Sequence, residues 1–187
     1  MIYQEKIFTK EECDTIIGYS HIYKNTKGHF IDKVDVIDNR LQSKHGKLSY
    51  NVYVILNDEI TEWFFNKLQN WFSTVSGIEL NKNEKMQSCT LHCYKIGDKF
   101  PIHVDLMREF TSRRYNLGIQ LNDTYEGGEY ICIDNNKNEI LISKEVGTSV
   151  AYYCTVPHEI KEITKGERWS IVLPLTKNII IEKKELI

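Results

Sequence analysis

The stretch FPIHVDLM, residues 100–107, sets an imidazole and a carboxylate two positions apart in an otherwise apolar run: His103 and Asp105. On a strand, residues i and i+2 project from one face, so both side chains point the same way. A buried pair of this kind is costly unless something binds it. A hydrogen-bonded surface pair has the same spacing, so the spacing alone leaves both readings open. A second histidine, His158, begins the segment HEIKEITKGERWSIVLP, and Arg168 follows on the far side of the turn residues Lys165-Gly166. Two imidazoles and one carboxylate are a donor set that holds a divalent iron on one face and leaves three positions open. Those positions suit a chelating 2-oxo acid and O2, whereas a four-coordinate structural zinc would be saturated. Arg168 adds a planar fork that grips a carboxylate through two parallel hydrogen bonds. Ser170, on the same strand face, can add a third. Taken singly, His158 could be a core histidine and Arg168 a surface charge. Jointly they point to a metal site with a clamp for the far end of a five-carbon dicarboxylate.

These residues need a rigid frame. After residue 84 the chain becomes a series of short strands with turn punctuation. Strands are expected at 86–96, 100–105, 115–121, 129–133, 140–143, 148–153, 158–163 and 168–174. Gly97-Asp98, Asn122-Asp123, Gly127-Gly128, Asn135-Asn136 and Lys165-Gly166 supply the turns. The 158–163 strand is expected to turn at Lys165-Gly166 and return through Arg168. Eight strands at this rhythm predict a double-sheet jelly roll. Two helices precede it. In FTKEECDTIIGYSHIY, Thr9 and Glu12 form a capping box, with Phe8 just before the cap. In NDEITEWFFNKLQNWFSTVSG, Asn57 or Asp58 is placed to cap and Gly77 to terminate. Trp63, Phe64, Leu68, Trp71, Phe72 and Val75 give the second helix a broad apolar face, read as packing against one sheet. The predicted class is mainly β with flanking helices (α+β). It forms a single domain over residues 1–187, with 1–84 as helical support and 85–175 as the jelly-roll core. The segment HFIDKVDVID is a possible short strand within the early loop, and the tail KNIIIEKKELI a last strand or short helix.

Bulk composition narrows the function classes. The chain has 187 residues, 41% hydrophobic and 27% charged, with a formal net charge of −2. That balance gives no electrostatic footprint for nucleic acid or an anionic membrane. No apolar run approaches the roughly 20 residues that span a bilayer. The opening MIYQEKIFTKEEC lacks a basic-then-apolar leader, so a cytoplasmic location is expected. Cysteines 13, 89, 93, 132 and 154 are odd in number and scattered, which argues against a disulfide framework. A zinc site on Cys89, His92 and Cys93 is disfavoured, because on a strand His92 faces away from both thiols.

Four segments, in order, resemble the Fe(II)- and 2-oxoglutarate-dependent dioxygenases of the prolyl 4-hydroxylase-like branch. They are FTKEECDTII, YKIGDKFPIHVD, RRYNLGIQLNDTYEGGEY and PHEIKEITKGERWSIVLP. The resemblance implies iron ligation by His103, Asp105 and His158. It implies that Arg168 takes the far carboxylate of 2-oxoglutarate and that Tyr94 lies beside this cosubstrate. Gln120 stands where relatives often carry a tyrosine near that carboxylate. Halogenating relatives replace the carboxylate ligand with a small residue, so Asp105 favours hydroxylation. The implied reaction hydroxylates an unactivated C–H bond with release of succinate and CO2. A prolyl or other amino-acid side chain, peptidyl or free, is the leading substrate class.

For the substrate itself, Thr90 and His92 alternate with Tyr94 onto one strand face, so an inward Tyr94 brings them inward too. Arg108, Arg113 and Arg114, in LMREFTSRRYN, are candidates for a lid that recognises a carboxylate or phosphate. The loop from Lys24 to Lys47 is a second candidate lid. The competing readings are a nucleic-acid or small-metabolite oxygenase of the same superfamily and a non-catalytic jelly-roll binding domain. The nucleic-acid branch usually carries a second arginine beyond the position of Arg168, and none follows Arg168 in this chain.

Overall fold

A computed structural model describes residues 1–23, 51–105 and 112–181. Arg108, the whole candidate lid from Lys24 to Lys47 with its possible strand HFIDKVDVID, and the end of the tail lie outside the described residues.

Helix α1 (Lys10–Gly18) begins where expected. Thr9 Oγ1 accepts from the Glu12 N–H at 3.2 Å, and the Glu12 carboxylate accepts from the Thr9 N–H at 2.8 Å. A 3₁₀ turn, Tyr19–His21, follows. Helix α2 (Glu62–Ser76) ends at Gly77, whose φ of 68° is left-handed and suits glycine. Its start differs from the expectation. Asp58 Oδ1 is taken up by the Ile60 N–H at 3.1 Å, so a turn intervenes and Thr61 becomes the N-cap, without a side-chain bond to the helix.

The strands run β1 (Ile2–Lys6), β2 (Asn51–Leu56), β3 (Glu79–Leu80), β4 (Ser88–Tyr94) and β5 (Phe100–His103). Next come β6 (Arg113–Gln120), β7 (Glu126–Gly127), β8 (Tyr130–Ile133), β9 (Glu139–Ile142) and β10 (Thr148–Tyr153). The last are β11 (His158–Ile160), β12 (Ile163–Lys165), β13 (Arg168–Thr176) and β14 (Ile180–Ile181). A six-stranded antiparallel sheet has the order β1-β10-β6-β13-β4-β2, and a four-stranded one has β5-β11-β8-β9. This is the predicted jelly roll. Two small ribbons, β12 with β7 and β14 with β3, complete the pairing among the described residues.

Three expectations are corrected. The 158–163 segment is not one strand: it divides into β11 and β12, which pair with β8 and β7 respectively. Arg168 is not reached by a hairpin, because β13 pairs with β4 and β6 in the opposite sheet. The chain therefore crosses from one layer to the other between His158 and Arg168. Finally, residues 1–84 supply the strands β1 and β2 to the larger sheet as well as its helices; short segments with mixed burial carry little periodic signal.

Alternation on the larger sheet divides its residues between two environments. Leu91, Leu117, Ile119, Ile171 and Leu173 face the helices, against Phe64, Phe65, Leu68 and Phe72, all buried. The intervening residues face the smaller sheet. No helix among the described residues is long and apolar enough to cross a membrane.

Candidate metal centre

Strand pairing brings the two histidines together. His103 ends β5, His158 starts β11, and the two are direct cross-strand partners with ring centroids 4.2 Å apart. Asp105 follows β5 and is tied down by its N–H, which donates to Cys154 O at 2.9 Å. One ligand atom from each of His103, Asp105 and His158 lies within 4.8 Å of the others. Asp105 Oδ1 is 3.4 Å from His103 Nε2, and Oδ2 is 3.4 Å from His158 Nε2.

Both imidazoles are oriented from behind. His103 Nδ1–H donates to Pro101 O at 2.8 Å, and His158 Nδ1–H donates to Val156 O at 3.0 Å. Each bond uses the carbonyl two residues upstream and leaves the Nε2 lone pair directed at Asp105, as a metal-ligating histidine requires. Burial pushes His158 down to about 4, with the neighbouring His103 adding to the shift and Asp105 opposing it. Burial acts to raise the Asp105 carboxyl, but the bond with His103 and the charges of His158, His103 and Arg113 outweigh it and hold the group below its ordinary value. His158 is thus held neutral and Asp105 ionised, the forms in which these groups bind metal. Asn116, on β6, donates to Asp105 Oδ2 as well.

Next to this triad stands a buried cation. Arg168 is only 3% exposed, and no salt bridge joins it to a carboxylate among the described residues. Its Nη1 donates to Ser170 Oγ at 2.8 Å, while its Nε–H has no hydrogen-bond partner. The guanidinium lies 5.7 Å from the Tyr94 ring and 5.8 Å from the Tyr130 ring. Burying a guanidinium with an orphaned donor is expensive, and an incoming carboxylate is the group that would satisfy it. Gly128, with φ of 61°, makes room for the side chain. A Cβ there would meet Ile163 Cδ1 at 2.4 Å and Arg168 Cδ at 3.4 Å, which accounts for the second glycine of the Gly127-Gly128 turn.

The other expected residues lie on the same inner face. Tyr94 pairs with Arg168, and Ser170 pairs with both His92 and Gln120. Gln120 is buried, and its amide donates to Asn122 O at 2.6 Å and Tyr125 Oη at 2.8 Å. Thr90 Oγ1 donates to Val172 O at 3.2 Å, which uses its one proton. His92 Nε2, 2.9 Å away, is therefore the donor to Thr90. Burial, then the charge of Arg168, pushes His92 down to about 3. The residue is half-buried. Arg114 is half-buried at the start of β6, two residues before Asn116.

Asn116, Tyr130 and Tyr152 were not anticipated. Tyr152 Oη is 3.3 Å from His158 Nε2 and 2.6 Å from Tyr130 Oη. Strand alternation places Tyr152 opposite Asn116, but only the packing of the two sheets brings either phenol to the triad. The zinc alternative fails. All five cysteines are unbridged and buried, and Cys89 and Cys93 lie on the opposite side of β4 from His92.

Residues 89–173 match the sequence model of the 2OG-Fe(II) oxygenase superfamily. That match spans most of the jelly-roll core, from β4 to β13, so the core is similar to that of the 2OG-Fe(II) oxygenases. Three solved structures share the fold at low sequence identity. One is an oxidoreductase of the 2OG-Fe(II) oxygenase family from Burkholderia pseudomallei, with TM-score 0.69, 14% identity and coverage of 98% of this chain and 88% of that one. The second is a prolyl-4-hydroxylase from Pseudomonas putida, with 0.66, 14%, 94% and 91% in the same order. The third is a Trichoplax adhaerens prolyl hydroxylase in complex with a hypoxia inducible factor peptide fragment, with 0.67, 15%, 94% and 82%. No curated protein matches the sequence. Proteins of that superfamily use Fe(II), 2-oxoglutarate and O2, and His103, Asp105 and His158 form a donor set that fits such an iron.

Proposed function

We propose that the protein is a 2OG-Fe(II) oxygenase that hydroxylates an unactivated C–H bond on a prolyl or other amino-acid side chain, in a peptide, a protein or a free amino acid, with succinate and CO2 as the other products. The observation that carries the reading is the combination of an inward-facing His103–Asp105–His158 set with a buried Arg168 that no carboxylate of the described residues neutralises. The fold shared with two prolyl hydroxylases, one bound to a peptide, supports the substrate class.

In this reading His103, Asp105 and His158 hold the Fe(II), with Asn116 steadying the carboxylate. Arg168 and Ser170 receive the far carboxylate of 2-oxoglutarate, Tyr94 flanks it, and Gln120 closes the end of the pocket. Bound Fe(II), with 2-oxoglutarate and O2, supplies the oxidant for the C–H bond. The chain's own work is to position both reactants and keep water from the reacting atoms. A neutral His92, fixed by Thr90, is the candidate contact for a polar substrate group, and Arg114 the candidate for an anionic one.

The test is an anaerobic titration of the apoprotein with Fe(II) and then 2-oxoglutarate, following the visible charge-transfer band of the chelate. The band is expected in the wild type and absent in His103→Ala. Arg168→Ala should need at least about 30-fold more 2-oxoglutarate. Prolyl peptides and free amino acids then follow, scored by the gain of one oxygen atom in mass spectrometry. A wild type that binds Fe(II) yet gives no band would overturn the reading.

A further inference from the structure

The structure contains a pair of phenols that the reading above does not use. His158 Nδ1 spends its proton on Val156 O, so Nε2 carries a lone pair and the Tyr152 hydroxyl, 3.3 Å away, must be the donor between them. The Tyr152 oxygen then accepts from Tyr130 Oη at 2.6 Å, which fixes its rotation. Metal binding at His158 takes that lone pair. The Tyr152 proton is left 3% exposed, without its acceptor and with little access to water. A buried donor in that position requires a new partner.

The side of the histidine on which the hydroxyl lies points to the partner. A hydroxyl 3.3 Å from Nε2 lies on the metal-facing side of His158, the side on which the 2-oxo acid would bind, and not on the Nδ1 side held by Val156. The Tyr152 ring, 4.9 Å from that of His158, lines the same wall. Tyr130 connects this point to the other end of the pocket, since its ring lies 5.8 Å from the Arg168 guanidinium. One residue thus contacts both the far-carboxylate clamp and the phenol at the triad.

We propose that Tyr152 is a positioning residue for the metal-side end of the bound 2-oxo acid, donating a hydrogen bond, aimed by Tyr130, to one of the two oxygens through which the acid chelates the metal. This rests on the use of the site for a 2-oxo acid. Two rival acceptors stand nearby: Asp105 Oδ2, which already accepts from Asn116, and Asn116 Oδ1, a buried oxygen without a hydrogen-bond partner on the residue paired with Tyr152 across the sheet.

The experiment titrates Fe(II)-loaded wild type, Tyr152→Phe and Tyr130→Phe anaerobically with 2-oxoglutarate and with 2-oxobutyrate, which lacks the far carboxylate. Fe(II) affinity is measured separately without either acid. Tyr152→Phe should keep Fe(II) affinity within about twofold, bind both acids about tenfold more weakly, and displace the visible band. The equal factor for the two acids locates the lost bond at the metal end. Tyr130→Phe should act in the same direction by about threefold, and it decides the matter if Tyr152→Phe does not fold. Unchanged acid affinity and band in these variants would overturn the proposal while leaving the oxygenase reading intact. So would a loss confined to Fe(II) affinity, which would assign the bond to Asp105. A wild type without a band sinks both.

Discussion

The two faces of the six-stranded sheet are made from the same strands and differ in almost everything else. On β13, Ile171 and Leu173 point to the helices, while Arg168 and Ser170 point to the smaller sheet. On β6, Leu117 and Ile119 join the apolar core, while Asn116 and Gln120 join the polar site. Both faces are buried, yet one is dry and close-packed and the other carries orphaned donors. The outer face gains stability by removing apolar area from water. The inner face sacrifices some of it by holding a guanidinium and imidazoles ready for ligands. Because one strand serves both, rigidity on the outer side fixes geometry on the inner.

Breaking the outer face should have the largest effect on stability. Phe72 is fully buried and packs edge-on against Tyr115 of β6, with centroids 5.1 Å apart. Phe72→Ala should cost about 3–5 kcal/mol in denaturant unfolding, with 2-oxoglutarate affinity per folded molecule unchanged. A large loss of affinity would show that the faces are not separable.

The inner face should announce itself through pH. His92 titrates at about 3 in the folded chain against an ordinary value of 6.5. Its contribution is fully present above the unfolded value and is lost as pH falls from about 6.5 toward 3. In that window the unfolded chain binds a proton that the folded chain refuses. Stability should fall by up to about 1.4 kcal/mol per pH unit from this group. Unfolding titrations of wild type and His92→Phe between pH 7 and 4 should give a shallower slope for the variant; equal slopes would remove His92 from the account.

The smallest effect tests the boundary between the faces. Cys93 adjoins His92 in sequence but lies on the outer side, its Sγ 3.8 Å from the Glu167 carboxylate. Cys93→Ser should leave metal content unchanged and lower stability by about 1–3 kcal/mol. Loss of metal in this variant would revive a thiolate site.

Much of this was legible in the chain itself. Two-residue alternation aligned Thr90, His92 and Tyr94, and again Arg168 and Ser170, because the strand period is independent of context. The Thr9–Glu12 box fixed a helix start through bonds that span three residues. His103, Asp105, His158 and Arg168 were readable because their donor chemistry is uncommon in combination. What adjoins what across 55 or 60 residues was not. That β13 crosses to the opposite sheet, that His158 pairs with His103, and that Tyr130 and Tyr152 meet at the triad follow from inter-strand hydrogen bonds and sheet packing. No local pattern encodes them. Local periodicity sets the direction in which a side chain points; only the assembled layers decide what it meets there.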